Sequence, residues 1–204
     1  MRVSSALLVA VLALRPSCAV AADPVPRSGH FDAMTLVVDG STVAGVFVDS
    51  RGLPGPDGAP PFSCVFLLRG ALAGARSDVE TWTPGQGPRI RGTLAFTPEG
   101  ATLTLREDHG GCPMTTGSMV GHPYALARTQ EVAEGWRGVG LVTAKRVDLR
   151  PEPGPTPKRA PHLVAYDPVV VLGRRGAWVR VRYDSGRAPV LGWVRAADLA
   201  TVEP

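Results

Sequence analysis

Glycine and proline interrupt this chain so often that it has little room for long helices. The 204 residues include 24 Gly and 20 Pro, and both residue types are unfavourable inside a helix. Between them, Val, Thr, Leu and Phe cluster in short runs, which is typical of strands joined by turns. The sequence therefore predicts an all-β protein.

The amino terminus has the layout of a cleavable export signal. Arg2 gives a positive start, Ala6–Leu14 is an unbroken apolar run, and small residues follow it. This order is typical of a secretory signal peptide, and the run is far shorter than the ~20 residues that span a bilayer. We expect cleavage near Ala21 or Ala22, which removes residues 1–22. The product is then exported, periplasmic or secreted, with no transmembrane anchor.

Two cysteines, Cys64 and Cys112, remain once Cys18 leaves with the signal. Export leads to an oxidising compartment, which favours a disulfide over free, metal-binding or catalytic thiols. Cys64 shares its parity with Phe62 and Phe66 in a predicted strand, so it is expected to face the interior. The crosslink would contribute about 4 kcal/mol in the chain-entropy model.

Residues 23–134 are predicted to form an antiparallel module. Asp39 and Gly40 suit a tight turn between two apolar runs, and a second hairpin is expected around residues 98–100. Six to eight short strands in about a hundred residues favour a small barrel or sandwich, because an open meander would leave unpaired edges. The hairpins and the segment Asp108–Cys112 resemble small exported β-barrel inhibitors.

Residues 135–204 form the second predicted module, and its motifs come in a distinctive order. These are Val147–Pro151 with Gly154 and Pro155, the valine run Pro168–Leu172, the segment Trp178–Val181, and Gly192–Val194 followed by Leu199. Over about sixty residues this order resembles the bacterial SH3-like domain. The resemblance implies a small SH3-like barrel and, because such domains often accompany cell-wall enzymes, a ligand in the cell envelope.

A search for catalytic or metal-binding patterns gives no candidate. The four histidines, His30, His109, His122 and His162, are scattered singly, without the spacing of a zinc site. No serine stands in a Gly-x-Ser-x-Gly elbow. Asp108 and His109 are adjacent, but neighbours in an extended chain face opposite ways, so a solvated turn is favoured over an acid–base couple. We expect no catalytic residue, no metal and no cofactor.

The two modules carry opposite charge. Residues 135–204 contain twelve Lys and Arg against six Asp and Glu, a balance of plus six, whereas residues 23–134 contain eight against twelve, or minus four. The second module is therefore suited to an anionic polymer or an acidic protein surface. Two other interpretations stay open: the modules attract each other, or Arg180 and Arg182 form the solvated face of a strand. Nucleic acid is not expected after export.

Aromatic and arginine side chains of the second module supply the candidate ligand-binding residues. These are Arg150, Tyr166, Tyr183 and Trp193. Trp and Tyr combine a large apolar face with a polar handle, which suits binding grooves. A core position is the alternative for the aromatic residues, and the resemblance favours the core for Trp178.

The sequence is compatible with two functions from different classes. The first is a noncatalytic exported binding protein whose SH3-like module recognises a cell-wall or envelope component, such as a cell-wall peptide or an envelope protein. The second is a periplasmic inhibitor or immunity protein that blocks a secreted hydrolase or toxin, since preorganised loops lose little entropy on binding. An enzyme with an unrecognised site is the least favoured class.

Overall fold

The computed structural model describes residues 24–53, 55, 60–131, 135–155, 159–184, 186 and 188–204. The predicted signal peptide, residues 1–22, lies outside this range. The described chain is nearly all β-structure, as predicted, and consists of an amino-terminal barrel and a carboxy-terminal sheet unit.

The amino-terminal unit is a closed antiparallel barrel of eight strands that follow one another in sequence order. The strands are β1 (Gly29–Phe31), β2 (Met34–Asp39), β3 (Thr42–Arg51), β4 (Phe62–Ala73), β5 (Arg76–Thr83), β6 (Gln86–Phe96), β7 (Gly100–Leu105) and β8 (Tyr124–Glu131). Strand β1 pairs with both β2 and β8, which closes the barrel and leaves no free edge. Of the two predicted alternatives, barrel and sandwich, the barrel is confirmed.

Both predicted hairpins are present in the barrel. Asp39 pairs with Thr42, so the first turn consists of Gly40 and Ser41, one residue later than expected. Gly40 has a φ of 54°, a left-handed conformation that glycine adopts without steric cost. The second hairpin joins β6 to β7, with Phe96 opposite Ala101.

The predicted disulfide between Cys64 and Cys112 is confirmed, and it lies inside the barrel. Both cysteines are fully buried. Cys112 begins the short helix α1 (Cys112–Thr115), which packs against β4. Gly111 precedes the helix with a φ of 83°, and a Cβ atom there would lie 2.1 Å from the carbonyl oxygen of Ser63. Only glycine therefore allows the backbone to approach this closely.

The carboxy-terminal unit is built from seven short strands in two sheets. The strands are β9 (Gly138–Val142), β10 (Arg146–Asp148), β11 (His162–Val164), β12 (Pro168–Arg175), β13 (Trp178–Tyr183), β14 (Val190–Arg195) and β15 (Leu199–Val202). Five of them form one antiparallel sheet in the order β14-β13-β12-β9-β15, and β10 pairs with β11. Val147, Leu163, Val171, Val181 and Val194 belong to the core of this unit. Its resemblance to the SH3-like domain stays a prediction.

The two units share a continuous apolar contact. Val37, Val46 and Leu67 project from the outer surface of the barrel and pack against Leu141 and Val202 of the five-stranded sheet. All five side chains are at most 6% exposed. Burial of apolar surface therefore holds the barrel and the sheet together.

We predict that Leu141→Ala lowers the free energy of unfolding of the whole chain by about 2–5 kcal/mol, because it opens a cavity between the two units. Denaturant unfolding followed by circular dichroism measures this change. Leu191→Ala is the matched control: Leu191 is 51% exposed, so its loss is expected to stay within about 0.5 kcal/mol. Equal losses in the two variants would contradict the proposed packing.

Candidate functional site

The candidate site is a flat group of arginine and tryptophan side chains on the five-stranded sheet. Along β13 the buried Val179 and Val181 point into the core of the unit, so Trp178 and Arg180 point outward. Trp178 lies opposite Arg195 of β14, and Arg180 lies opposite Trp193. We call this surface the arginine–tryptophan face. Its members are Arg150, Arg175, Trp178, Arg180, Trp193 and Arg195.

A β-bulge in β12 brings Arg175 to this face. The register shifts between Val171 and Gly173, and the extra residue reverses the side-chain alternation beyond it. Arg175 therefore pairs with Trp178. Arg174 takes the opposite parity and donates to Glu203 Oε1 at 2.8 Å.

Guanidinium groups stack against both indole rings. The Cζ atoms of Arg150 and Arg195 lie 4.8 and 4.7 Å from the centroid of the Trp178 ring. Arg175 Cζ lies 4.8 Å from the centroid of Trp193. At these distances a cation is attracted by the electrons of the ring face, so the stacking fixes three arginine side chains.

Most of the positive charge on the face lacks a neutralising carboxylate. Arg175 donates to Glu152 Oε2 at 2.6 Å, and Arg150 donates to the backbone oxygen of Gly154. Within the part of the chain that the structure describes, Arg180 and Arg195 form no ion pair. Both are solvent-exposed, so the face is strongly cationic and accessible.

The structure brings together two of the four sequence-predicted ligand residues. Arg150 and Trp193 exchange backbone hydrogen bonds of 3.1 and 2.7 Å, and both belong to the arginine–tryptophan face. Tyr183 lies against the core of the unit, where its hydroxyl donates to Asp167 Oδ1 at 3.3 Å. Tyr166 is exposed elsewhere, and its hydroxyl accepts from Gln86 Nε2 of the barrel at 3.3 Å.

Burial changes the acid–base properties of the Tyr183–Asp167 pair. Burial raises the pKa of Asp167, and hydrogen bonds from the Val164 backbone and the Tyr183 hydroxyl oppose that rise. Burial also raises the pKa of Tyr183, and the nearby carboxylate adds to the effect. The pair is therefore a packed hydrogen bond inside the unit and does not extend the cationic face.

Trp178 does not occupy the core position that the resemblance favours. It is half-buried on the outer surface, in contact with Arg150 and Arg195. The alternation of Trp178 and Arg180 with two valines is a signal in the sequence that identifies this side of the strand as the outer one.

A second polar cluster lies in a groove of about 360 Å³ between the two units. His30 Nδ1 is 2.9 Å from Thr35 Oγ1, and His30 Nε2 is 3.2 Å from Asp184 Oδ2. Arg182 donates to both oxygens of Asp184 at 2.9–3.1 Å. Local sequence patterns do not indicate this cluster, because His30 and Asp184 are 154 residues apart.

His109 is a buried structural residue and not part of the solvated turn that we expected. It is 6% exposed and stacks on Phe66 with ring centroids 4.7 Å apart. The Thr81 hydroxyl donates to Ile90 O and lies 2.7 Å from His109 Nε2, which assigns the imidazole proton to Nε2. Asp108 points elsewhere and accepts from Ser118 Oγ at 2.7 Å. The two adjacent residues therefore form no acid–base couple.

In the described ranges, no group of three or more His, Cys, Asp or Glu side chains is placed to hold a metal ion. The helices in those ranges are too short or too polar to cross a membrane. No family model, curated protein or solved structure matches the chain. The geometry of its surfaces is therefore the basis on which a function is assigned.

We predict that the stability of the barrel depends on pH through His109. Burial lowers the pKa of its imidazole from the ordinary value of 6.5, so the unfolded chain binds the proton more tightly than the folded one. The free energy of unfolding is then highest above about pH 6.5 and falls as the pH drops through that value. Denaturant unfolding at a series of pH values measures this dependence.

In His109→Gln this dependence is expected to flatten between about pH 7 and 5, because the titrating group is gone. His122→Gln is the matched control: His122 is exposed, and its loss is expected to leave the wild-type pH profile in place. A profile for His109→Gln as steep as that of the wild type would contradict the assignment.

Proposed function

We propose that this protein is a noncatalytic exported binding protein of the bacterial cell envelope, and that the arginine–tryptophan face recognises an envelope component. The observation that carries the proposal is the exposure of Arg180 and Arg195, without a neutralising carboxylate in the described chain, beside two half-buried tryptophans. Trp and Arg are enriched among the interface residues that contribute most to the free energy of binding.

The arrangement of the two units supports binding at this face. On the same side of the five-stranded sheet, Leu141 of β9 and Val202 of β15 are covered by the barrel. In the part of the chain that the structure describes, the half formed by β13 and β14 exposes Arg180 and Arg195, and it carries the arginine–tryptophan face. A sheet that is anchored along one half presents the other half as a rigid surface, which lowers the entropy cost of binding.

The interior of the barrel supports surface binding over an internal ligand. Phe47 and Phe66 stack with ring centroids 4.8 Å apart, and His109 also stacks on Phe66. The interior of an eight-stranded barrel is either filled by side chains or holds one small ligand, and in this barrel stacked rings occupy it. A ligand inside this barrel would have to displace these rings.

The buried disulfide supports the exported location. Cys64 and Cys112 are paired, and disulfides persist mainly in oxidising compartments outside the cytosol. The apolar start of the chain, with its small-residue exit before Asp23, supports the same conclusion.

We predict that the mature chain sediments with purified cell-wall fragments at low salt, and that Arg180→Glu/Arg195→Glu reduces the bound fraction about tenfold or more, since two favourable charges become repulsive. Binding is also expected to weaken between about 0.05 and 0.5 M salt, because exposed charges are screened. Circular dichroism confirms that the variant is folded.

The matched control is Arg76→Glu/Arg106→Glu, which changes the net charge by the same amount on the barrel. Both arginines are solvent-exposed and lie away from the face. This control is expected to bind at least half as well as the wild type. Equal losses in the two double variants would show that net charge alone, and not the face, is responsible.

The inhibitor function is the second candidate, and a different surface favours it. Four of the eight exposed large apolar residues in the described chain are Leu53, Phe62, Met114 and Val120. Phe62 begins β4 two residues before Cys64, and Met114 lies in α1 two residues after Cys112, so both stand beside the disulfide. An apolar rim held by a crosslink is suited to enter the cleft of a hydrolase.

The two candidates are distinguished by the variants that abolish binding. If one secreted hydrolase is captured and inhibited, and Leu53→Ser/Met114→Ser loses the inhibition whereas Arg180→Glu/Arg195→Glu keeps it, the inhibitor function is correct. The envelope-binding function requires the opposite pattern.

A further inference from the structure

We infer that the partner of the arginine–tryptophan face is an acidic polysaccharide, with its carboxylates on Arg180 and Arg195 and a sugar ring on Trp193. This inference rests on the proposed function and names the chemical class of the ligand. Three observations carry it: the stacked guanidinium groups, the alternation of residue types on two neighbouring strands, and the flatness of the face.

Stacking leaves the hydrogen-bond donors of Arg195 available. Arg150, Arg175 and Arg195 each place the guanidinium over an indole ring. Arg150 and Arg175 also donate to Gly154 O and Glu152, so the N–H edges of Arg195, together with those of Arg180, remain for other partners. The planar fork of N–H donors matches the two oxygens of a carboxylate. Because the stacking already fixes the Arg195 side chain, little of its rotamer entropy is lost when the anion binds.

Residue types alternate across β13 and β14 in both directions. Trp178 faces Arg195 across the strands, and Arg180 faces Trp193, so each tryptophan has an arginine beside it and another arginine two residues along its own strand. Neighbouring positions are about 5 Å apart across the strands and about 7 Å apart along a strand. This is the scale of one sugar ring. A chain of acidic sugars offers the same alternation, since each ring combines an apolar C–H face with a carboxylate.

The flatness of the face favours an extended polymer over a small anion. No residue of the face lines the groove between the two units, and its members come from an open sheet surface and the adjacent segment around Arg150. Small ligands bind mainly in concave sites, whereas a polymer makes repeated weak contacts along a surface. An acidic polypeptide has carboxylates but no rigid apolar ring for Trp193, which makes it the poorer match.

The experiment titrates the mature protein with three soluble polymers and follows tryptophan fluorescence and heat of binding. The probes are polygalacturonate, the same polymer with its carboxylates methyl-esterified, and poly-L-glutamate. We expect binding to polygalacturonate at low salt, and an affinity weaker by about tenfold or more for both other polymers, because each lacks one of the two matched groups.

Two variants separate the roles of charge and ring. Arg180→Lys/Arg195→Lys keeps the charge but removes the planar fork, and we expect it to bind polygalacturonate several-fold more weakly than the wild type. Trp193→Leu keeps an apolar side chain but removes the ring, and we expect it to bind polygalacturonate no better than poly-L-glutamate. Thermal unfolding confirms that each variant is folded before it is titrated.

The outcomes separate this inference from the proposed function. Equal affinity of the wild type for polygalacturonate and poly-L-glutamate, or equal affinity for polygalacturonate and its esterified form, overturns the inference. If the protein binds cell-wall fragments through Arg180 and Arg195 but does not bind polygalacturonate, the inference fails and the proposed function stands. If it binds neither, both fail.

Discussion

The contact between the barrel and the five-stranded sheet determines most of what this molecule presents to its surroundings. Val37, Val46 and Leu67 on the barrel meet Leu141 and Val202 on the sheet, and the contact excludes water from side chains of both units. One side of the sheet therefore packs into the core of the carboxy-terminal unit. On the other side, the half formed by β9 and β15 packs against the barrel. The uncovered half is the surface that remains for a partner.

This division of the sheet explains why the cationic face is ordered. Its strands β13 and β14 continue through β12 to β9, and β9 is packed on both sides. The guanidinium groups of Arg150, Arg175 and Arg195 stack on Trp178 and Trp193. Arg180 and Arg195 have no carboxylate partner among the described residues. At the border between the covered and the uncovered half, Arg182, Asp184 and His30 form the polar boundary of the contact.

The sequence predicted the strand-rich composition, a barrel or sandwich for the first unit, and the disulfide, because each of these depends on local pattern or on the number of cysteines. The turn at Gly40 and the parity of Cys64 are properties of a few neighbouring residues. In contrast, Trp178 was predicted from the SH3-like resemblance to be core, although its own alternation with Val179 indicated the outer side.

The contact between units was not predicted, although a signal for it was present in the chain. Strand β5 alternates between buried and exposed positions, whereas β4 buries five consecutive residues, Cys64–Leu68. A continuous apolar run indicates a strand that is covered on both sides. Which segment covers it depends on long-range packing, as does the approach of His30 to Asp184, and no local pattern encodes either.

The bulge in β12 makes the composition of the cationic face depend on a single inserted residue, Leu172. If Leu172 instead paired with Arg180, the alternation of the strand would continue unbroken, and Arg174 would take the place of Arg175 beside Trp178. The ion pair between Arg174 and Glu203 would then be lost, and Glu152 would lose its partner Arg175. A natural variant that gains one residue between Gly173 and Arg174 would therefore exchange the two arginines and change its ligand preference in one step, while the hydrophobic interior stays the same.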